Sequence, residues 1–261
     1  MKFLTYGEKS NPAILLIHGM GCTAAQSFAS AREKLENRYH VIMPCLDGYD
    51  GTSSTFSSMA EQAEKIAAYL KETDAERLYM VLGMSMGGFI AMELLCKYAV
   101  TTNILILDSG YLKKQYFAKP VAAFVAYGFS KLIAGKDNAF IRGAMKRMMG
   151  FSFRKDDLCA SATKETIYNS EYTCLSYQLP NLMRLASTKL QYWYGSREPF
   201  MIKGMRVLKK HMPHMEEICL GDYGHGEIMA TNPSLYAALI ENAAEAWRKQ
   251  GFVSRSEGQK V

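Results

Sequence analysis

The sequence lacks long apolar runs, and this absence excludes one class of protein at the outset. Its longest apolar stretch, residues 121–129, is half of the ~18 residues that a membrane-spanning helix needs. Residues 1–10 do not contain the apolar segment of a secretory signal. We therefore predict neither a membrane span nor secretion.

Cysteine is also scarce, and the few cysteines present form no recognisable pattern. Six cysteines with no C-x-x-C pair and no zinc-site spacing are far from the composition of a disulfide scaffold. The closest histidines, His211 and His214, are separated by Pro213, which disfavours a helical pair of metal ligands. The sequence therefore predicts a cytoplasmic protein with reduced thiols and with no metal and no cofactor.

Charge of one sign is only slightly in excess. The 31 Lys and Arg residues exceed the 25 Asp and Glu residues by a formal net charge of +6. Because so small an excess does not indicate nucleic acid as a partner, we expect none. Hydrophobic residues make up 49% of the 261 positions, which is enough to build a core and argues against disorder.

Short apolar runs alternate with helical patterns along most of the chain. The runs at 13–18, 39–43, 78–83, 103–108, 190–194 and 216–220 are nearly continuous, as expected for strands covered on both faces. Helical patterns lie at 24–36, 58–72, 86–99 and 233–248, and Asn232 with Pro233 is a typical start for the last one. This order predicts an α/β fold with a mostly parallel sheet flanked by helices.

The interval between the fourth and fifth apolar runs breaks this rhythm. It is far longer than a single crossover needs, it is rich in aromatic residues and methionine, and 120–133 and 140–149 within it are helical in pattern. We interpret it as a helical cap, inserted before the strand that leads to the candidate acid described below. The predicted division is a core of 1–110 and 181–250, a cap of 111–180 and a flexible tail of 251–261.

The segment 83–87, Gly-Met-Ser-Met-Gly, carries the strongest chemical signal. The pattern G-x-S-x-G is weak alone, but here it directly follows an apolar run and precedes a helical pattern. Such a strand-to-helix turn holds its serine in a strained conformation, clear of the sheet and at a helix N-terminus. We predict Ser85 as a nucleophile; the alternative is a serine that only caps the following helix.

A serine nucleophile needs a base, and His225 is the candidate. Ligands of parallel sheets bind at the carboxyl ends of the strands, and His225 follows the last apolar run on a glycine-lined loop at that edge. The other histidines either precede a strand (His40, His211 and His214) or lie in a turn suited to supplying backbone amides (His18).

The base must in turn be oriented by an acid, for which the sequence offers three residues. Glu198 follows the 190–194 run at the carboxyl edge and is favoured over Asp108, which ends the preceding run, and over Asp222. A surface ion pair between Glu198 and Arg197 is the structural alternative.

The turn His18-Gly19-Met20-Gly21 follows the first apolar run and completes the set. A turn bracketed by glycines can aim the backbone amide of Met20 into the cleft to which the amide of Met86 points. Two such amides would form an oxyanion hole. A plain turn between strand and helix is the alternative.

These segments, in this order, resemble the α/β-hydrolase superfamily, and specifically its serine esterases and lipases with a helical cap. The resemblance spans about 13–247. It implies Ser85 as nucleophile, His225 as base, Glu198 as acid, and the amides of Met20 and Met86 as oxyanion donors.

The sequence departs from the family pattern at two places. The acid is more often aspartate than glutamate, so the loop at Glu198 must accommodate one more methylene group. The segment 46–53 resembles the family's Pro-Gly-His-Gly-x-Ser turn but has Asp50 where histidine is common. Neither departure removes a candidate catalytic group.

The resemblance implies a serine hydrolase of the carboxylesterase type that cleaves a small ester or a related acyl substrate through an acyl-enzyme. Hydrolysis of a carbon–carbon bond, peptide cleavage and acyl transfer are alternatives within the same fold. A catalytically silent ligand-binding protein is the alternative from another class. Nucleotide binding is disfavoured because both G-x-G-x-x-G and the P-loop lysine pattern are absent.

The cap carries the only hints about the substrate. Its 12 aromatic side chains either line an apolar cavity over Ser85 or form the core of the cap itself. It also holds 11 basic and 5 acidic residues. This excess is either a solvated outer face or a means of attracting anionic acyl compounds.

Overall fold

Seven strands form one sheet in the computed structural model, which describes residues 1–110, 119–134, 143, 146, 147, 150 and 162–257. The strands are β1 (Lys2–Tyr6), β2 (Ala13–Ile17), β3 (His40–Cys45), β4 (Arg77–Met84), β5 (Thr101–Asp108), β6 (Lys189–Gly195) and β7 (Glu216–Leu220). Their order is β1-β3-β2-β4-β5-β6-β7, and only β1 runs antiparallel to its neighbour. The predicted α/β fold with a mostly parallel sheet is confirmed.

Helices connect the strands and follow the last of them. They are α1 (Ala24–Leu35), α2 (Met59–Glu72), α3 (Met86–Lys97), α4 (Lys119–Ala134), α5 (Lys164–Ser176), α6 (Pro199–His211), α7 (Glu227–Thr231) and α8 (Pro233–Glu257). Local sequence explains several of their starts. Thr23 and Gln26 form a reciprocal capping box at α1, and the side chain of Ser58 caps α2.

Both faces of the sheet are covered at its centre, which explains why the central strands are nearly continuous apolar runs. Along β2, Ile14 and Leu16 belong to one buried cluster together with residues of α1 and α8. Leu15 and Ile17 belong to a second cluster, with residues of α2 and α3. Since consecutive side chains of a strand point to opposite faces, two covered faces require a continuous apolar run.

Four elements, β1, α5, α6 and α7, were not predicted from the sequence, and α8 is longer than expected. β1 is an edge strand that pairs only with β3, so it needs no continuous apolar run. α6 begins with Pro199 at its first position, a start signal that could have revealed it. α8 continues to Glu257 beyond the expected end at 248, and residues 258–261 of the predicted tail lie outside the described residues.

The interval between β5 and β6 contains the helices α4 and α5, which pack against each other. α4 coincides with the helical pattern at 120–133, whereas most of 140–149 lies outside the described residues. α5 is joined to the core by a hydrogen bond of 2.9 Å between Ser170 Oγ and Tyr49 Oη. The division into core, cap and tail stays a prediction.

Close backbone packing holds α3 against the end of β5. A Cβ atom added to Gly88 would lie 2.5 Å from the Cα atom of Gly110. Only glycine permits the helix to approach so closely, and this approach places the first residue of α3 beside the carboxyl ends of the strands.

We expect Gly88→Ala to lower the free energy of unfolding by about 1–3 kcal/mol, the usual cost of overpacking. Gly128→Ala is the matched control, because a Cβ atom at Gly128 in α4 would meet nothing within 4 Å. The control should lose no stability, since alanine favours a helix over glycine. Urea unfolding of both variants tests this, and equal midpoints would contradict the packing explanation.

Candidate active site

Ser85 stands at a sharp turn between β4 and α3. Its backbone has φ 51° and ψ −117°, a region that residues other than glycine rarely adopt. Its amide donates a hydrogen bond of 2.7 Å to the carbonyl oxygen of Asp108. A Cβ atom at Gly83 would lie 2.4 Å from the Gly87 carbonyl oxygen, and one at Gly87 would lie 2.2 Å from the Ile17 carbonyl oxygen. Both glycines of G-x-S-x-G are therefore required by close backbone contacts.

His225 follows β7 and lies between Ser85 and Glu198. Its Nε2 atom is 2.8 Å from Ser85 Oγ, and its Nδ1 atom is 2.7 Å from Glu198 Oε1. The imidazole is buried, with 7% of the residue exposed. A carboxylate accepts but does not donate, so Nδ1 carries the proton and Nε2 is free to accept the hydrogen of the serine hydroxyl.

Glu198 stands directly before Pro199 at the start of α6, and only 1% of the residue is exposed. Its Oε2 atom accepts hydrogen bonds from the hydroxyl of Ser109 at 2.7 Å and from the amide of Gly195 at 2.6 Å. With His225 on the other oxygen, the carboxylate has three donors. These donors offset the cost of burying its charge.

Sequence reasoning missed Ser109. It follows β5 directly and has φ 52°, so the chain turns there in a conformation unusual for serine. The only signal in the sequence was its position at the carboxyl end of a strand, beside Asp108.

The charges around His225 favour its imidazolium form. Burial lowers the pKa of His225, but the hydrogen bond and charge of Glu198, together with the charges of Asp108 and Glu171, outweigh burial and raise this pKa above its ordinary value. A histidine with a raised pKa retains an accepted proton more readily than an ordinary histidine does.

Asp108 and Asp222, the alternative acids, make no hydrogen bond to His225 among the described residues. Asp108 Oδ2 accepts a hydrogen bond of 2.6 Å from the hydroxyl of Tyr236. Burial raises the pKa of Asp108 to about 6, against the opposing effect of that hydrogen bond. Asp222 is exposed, and its backbone amide bonds to Ser196 Oγ.

The turn after β2 lies against Ser85. A Cβ atom at Gly19 would lie 3.2 Å from Ser85 Cβ, so the turn that carries Met20 runs beside the serine. Met86 is the first residue of α3, and the first amides of a helix have no partner within it. The structure thus brings the two candidate oxyanion donors to the same edge of the sheet as Ser85.

His18 links this turn to the loop after β3 through hydrogen bonds. Its Nδ1 atom donates to the carbonyl oxygen of Gly19 at 2.9 Å, and its Nε2 atom accepts from the amide of Leu46 at 3.1 Å. Burial lowers the pKa of His18 to about 4, although the bond to Gly19 acts in the opposite direction. The ring is therefore neutral near pH 7 and serves as a structural link between two loops.

Three further residues considered from the sequence make no hydrogen bond to Ser85 or His225 in the described part of the chain. His40 begins β3, with Nδ1 3.4 Å from the carbonyl oxygen of Gly7, while His211 ends α6. Asp50 accepts hydrogen bonds from Thr52 and Ser54 within its own loop.

Comparison with known proteins identifies the fold. A family model described as the alpha/beta hydrolase fold matches residues 12–205, most of the chain. The chain belongs to this family. An α/β hydrolase family protein of Desulfitobacterium hafniense is similar in structure, with a TM-score of 0.76 and 22% identity, covering 93% of this chain and 99% of that one.

Two other similar structures carry names that state an activity. A structure from work on the carboxylesterases of Nitrososphaera gargenis has a TM-score of 0.73 and 15% identity, with 95% of each chain covered. A thermophilic esterase of Thermogutta terrifontis has a TM-score of 0.70 and 19% identity, covering 95% of this chain and 93% of that one. At such low identity these likenesses show the fold alone.

A curated relative is more similar in sequence but over a shorter stretch. An uncharacterized protein of Mycobacterium tuberculosis is 35% identical over 102 residues, which is 38% of this chain and 29% of that protein. The match thus spans less than a third of the mycobacterial protein.

The described part of this α/β hydrolase shows two absences. None of its helices is long and apolar enough to cross a membrane. Among the same residues, no three His, Cys, Asp or Glu side chains cluster as a metal site would require.

The aromatic residues of the cap do not all face the core. Phe124 is 78% exposed and Tyr127 is 47% exposed on α4. Tyr177, just after α5, instead packs edge-to-face on Phe89 of α3, with ring centroids 4.8 Å apart. The two interpretations of the cap aromatics, a cavity lining or the core of the cap, stay predictions, and about half of these residues lie outside the described part of the chain.

We expect Glu198→Gln to lower the pKa of His225, because it removes the negative charge and the strong acceptor that favour imidazolium, while burial remains. Asp222→Asn is the control: it removes an exposed carboxylate, and asparagine tolerates the positive φ at this position. NMR titration of the His225 ring measures both. An unchanged pKa in Glu198→Gln, or an equal fall in the control, would contradict the assignment.

Proposed function

We propose that this protein is a serine hydrolase of the carboxylesterase type, with Ser85 as nucleophile, His225 as base and Glu198 as acid. The observation that carries the proposal is the pair of hydrogen bonds made by His225, at 2.8 Å to Ser85 Oγ and at 2.7 Å to Glu198 Oε1. This arrangement gives a serine an adjacent base and gives the base an orienting acid.

The first step is attack by Ser85 Oγ on the carbonyl carbon of an ester or related acyl compound. The hydroxyl proton passes to Nε2 of His225 as the new bond forms. Glu198 keeps the Nδ1 proton in place and stabilises the positive charge that develops on the ring. The raised pKa of His225 supports this step, because it favours the proton transfer.

The carbonyl oxygen becomes negatively charged during the attack. The amides of Met20 and Met86 would donate hydrogen bonds to this oxygen and so form an oxyanion hole. The positive end of the α3 dipole, at the N-terminus of the helix, would stabilise the same negative charge. One such donor contributes about 2.7–4 kcal/mol to transition-state stabilisation in comparable enzymes.

Collapse of the tetrahedral intermediate breaks the bond to the leaving group. The proton on His225 Nε2 goes to the leaving oxygen, and the acyl group stays on Ser85. Water then attacks the acyl-enzyme while His225 takes one of its protons, and the acid product leaves with Ser85 restored. Every proton moves through side chains of this chain, so the cycle requires no added cofactor.

The family and its similar structures support hydrolysis, and the esterase names among them favour an ester over the other bonds that this fold can cleave. We further propose a small-molecule acyl substrate and a cytoplasmic location.

Ser85→Ala should lower ester turnover by at least ~10³-fold, because no other group supplies the nucleophile. The variant should keep its unfolding midpoint, since within the described part of the chain the hydroxyl hydrogen-bonds only to His225. Hydrolysis of p-nitrophenyl butyrate measures turnover, and a fluorophosphonate probe should label only the unsubstituted protein. Turnover without Ser85 would refute the mechanism, and a folded protein that neither labels nor turns over would favour a silent binder.

Acyl chain length should affect the rate if the cap limits the acyl pocket. We expect kcat/KM for p-nitrophenyl esters to rise and then fall as the acyl group is lengthened from acetyl to dodecanoyl. The series is measured at fixed pH, with the alkaline hydrolysis of each ester as the reference. Equal enzymatic rates at every length would mean that no defined acyl pocket exists.

A further inference from the structure

The cap helix α5 places a carboxylate beside the candidate active site. Glu171 immediately follows Ser170, whose hydroxyl is 2.9 Å from Tyr49 Oη of the core. Cys174 lies one turn further along, on the same side of α5, and packs against the core cluster that contains Met86. Glu171 therefore stands on the part of α5 that is turned toward the core.

The charge of Glu171 acts on His225. It contributes to the raised pKa of His225, and the charge of His225 in turn lowers the pKa of Glu171. Burial has the larger effect and raises the pKa of Glu171 to about 7. Glu171 is half-buried.

Geometry also places this part of α5 near Ser85. The ring of Tyr49, which bonds to Ser170, lies edge-on to His18 with centroids 6.0 Å apart. His18 in turn bonds to Gly19 of the turn beside Ser85.

Among the described residues, Glu171 makes no hydrogen bond and no ion pair. The two buried carboxylates near Ser85 do have partners: Glu198 is held by Ser109 and His225, and Asp108 is held by Tyr236. A half-buried carboxylate without a protein donor leaves its acceptor sites to water, and a ligand that displaces this water gains by supplying a donor.

We propose that Glu171 determines substrate specificity by accepting a hydrogen bond from a donor group of the bound substrate, above all from an ammonium group. The inference rests on the proposed hydrolase function and names the substrate class of the same site. In its ionised form Glu171 repels anionic acyl groups, which opposes at the site the attraction of anionic compounds predicted for the basic cap.

The test compares two pairs of esters that differ in a cationic donor. One pair carries it in the acyl group (p-nitrophenyl 6-aminohexanoate and p-nitrophenyl hexanoate). The other carries it in the alcohol (2-(dimethylamino)ethyl hexanoate and 3-methylbutyl hexanoate). The ratio of kcat/KM, cationic over neutral, should fall by about tenfold in Glu171→Gln for at least one pair, as for the loss of one charge-assisted hydrogen bond.

Glu165→Gln is the matched control, because Glu165 lies on the same helix, is exposed and makes no contact with the candidate site. It should leave both ratios unchanged. Glu171→Lys should lower the ratio further and should favour an anionic ester, the p-nitrophenyl monoester of adipic acid. The labelling rate of Ser85 by a fluorophosphonate checks that each variant keeps an intact site.

The outcomes separate the two proposals. Ser85-dependent turnover with ratios that are equal in Glu171→Gln and the unsubstituted protein would overturn the role of Glu171 alone. The absence of both turnover and labelling in the unsubstituted protein would overturn the hydrolase function, and this inference with it.

Discussion

The strained backbone of Ser85 is the constraint on which the rest of the site depends. A φ of 51° at serine costs about 1–3 kcal/mol and persists only where the surroundings enforce it. They do so through glycine: Gly83 and Gly87 bring β4, α3 and the end of β2 into contacts that no side chain would permit. The hydrogen bond from the Ser85 amide to Asp108 ties the turn to β5 as well. The candidate nucleophile is thus held by backbone contacts with three strands and not by its own side chain.

A second constraint is the buried charge of Glu198. One carboxylate oxygen has two donors, Ser109 and Gly195, and the other has His225. The two fixed donors leave the second oxygen aimed at the imidazole, which sets its tautomer and orients Nε2 toward Ser85. The extra methylene of glutamate relative to aspartate is accommodated because Glu198 starts α6 and its side chain reaches back to the amide three residues earlier. The candidate acid is therefore positioned by Ser109, which follows β5, and by Gly195, which ends β6.

The sequence predicted well what is local and poorly what depends on distant contacts. The strands, the turn at Ser85 and the loop of His225 follow from apolar runs and glycines that can be read within a few residues. The choice between Glu198 and Asp108 could not be made in this way, because both follow strands at the same edge. In the structure, Asp108 accepts a hydrogen bond from Tyr236, which lies more than a hundred positions away in the sequence, whereas Glu198 bonds to His225. β1 was missed for a similar reason, since an edge strand is stabilised by its partner and carries little signal of its own.

The cap shows why net charge is a poor guide to a site. The excess of basic residues over 111–180 suggested that the cap attracts anions. The electric field at a reacting atom, however, is determined mainly by the nearest charges that water does not screen. Exposed groups such as Lys164 are screened within about 8 Å at physiological ionic strength. Glu171 is half-buried and close enough to act on His225. A nearby carboxylate that is shielded from water acts on the site more strongly than an equally charged group in solvent, so the net charge of 111–180 does not give the sign of the charge at the site.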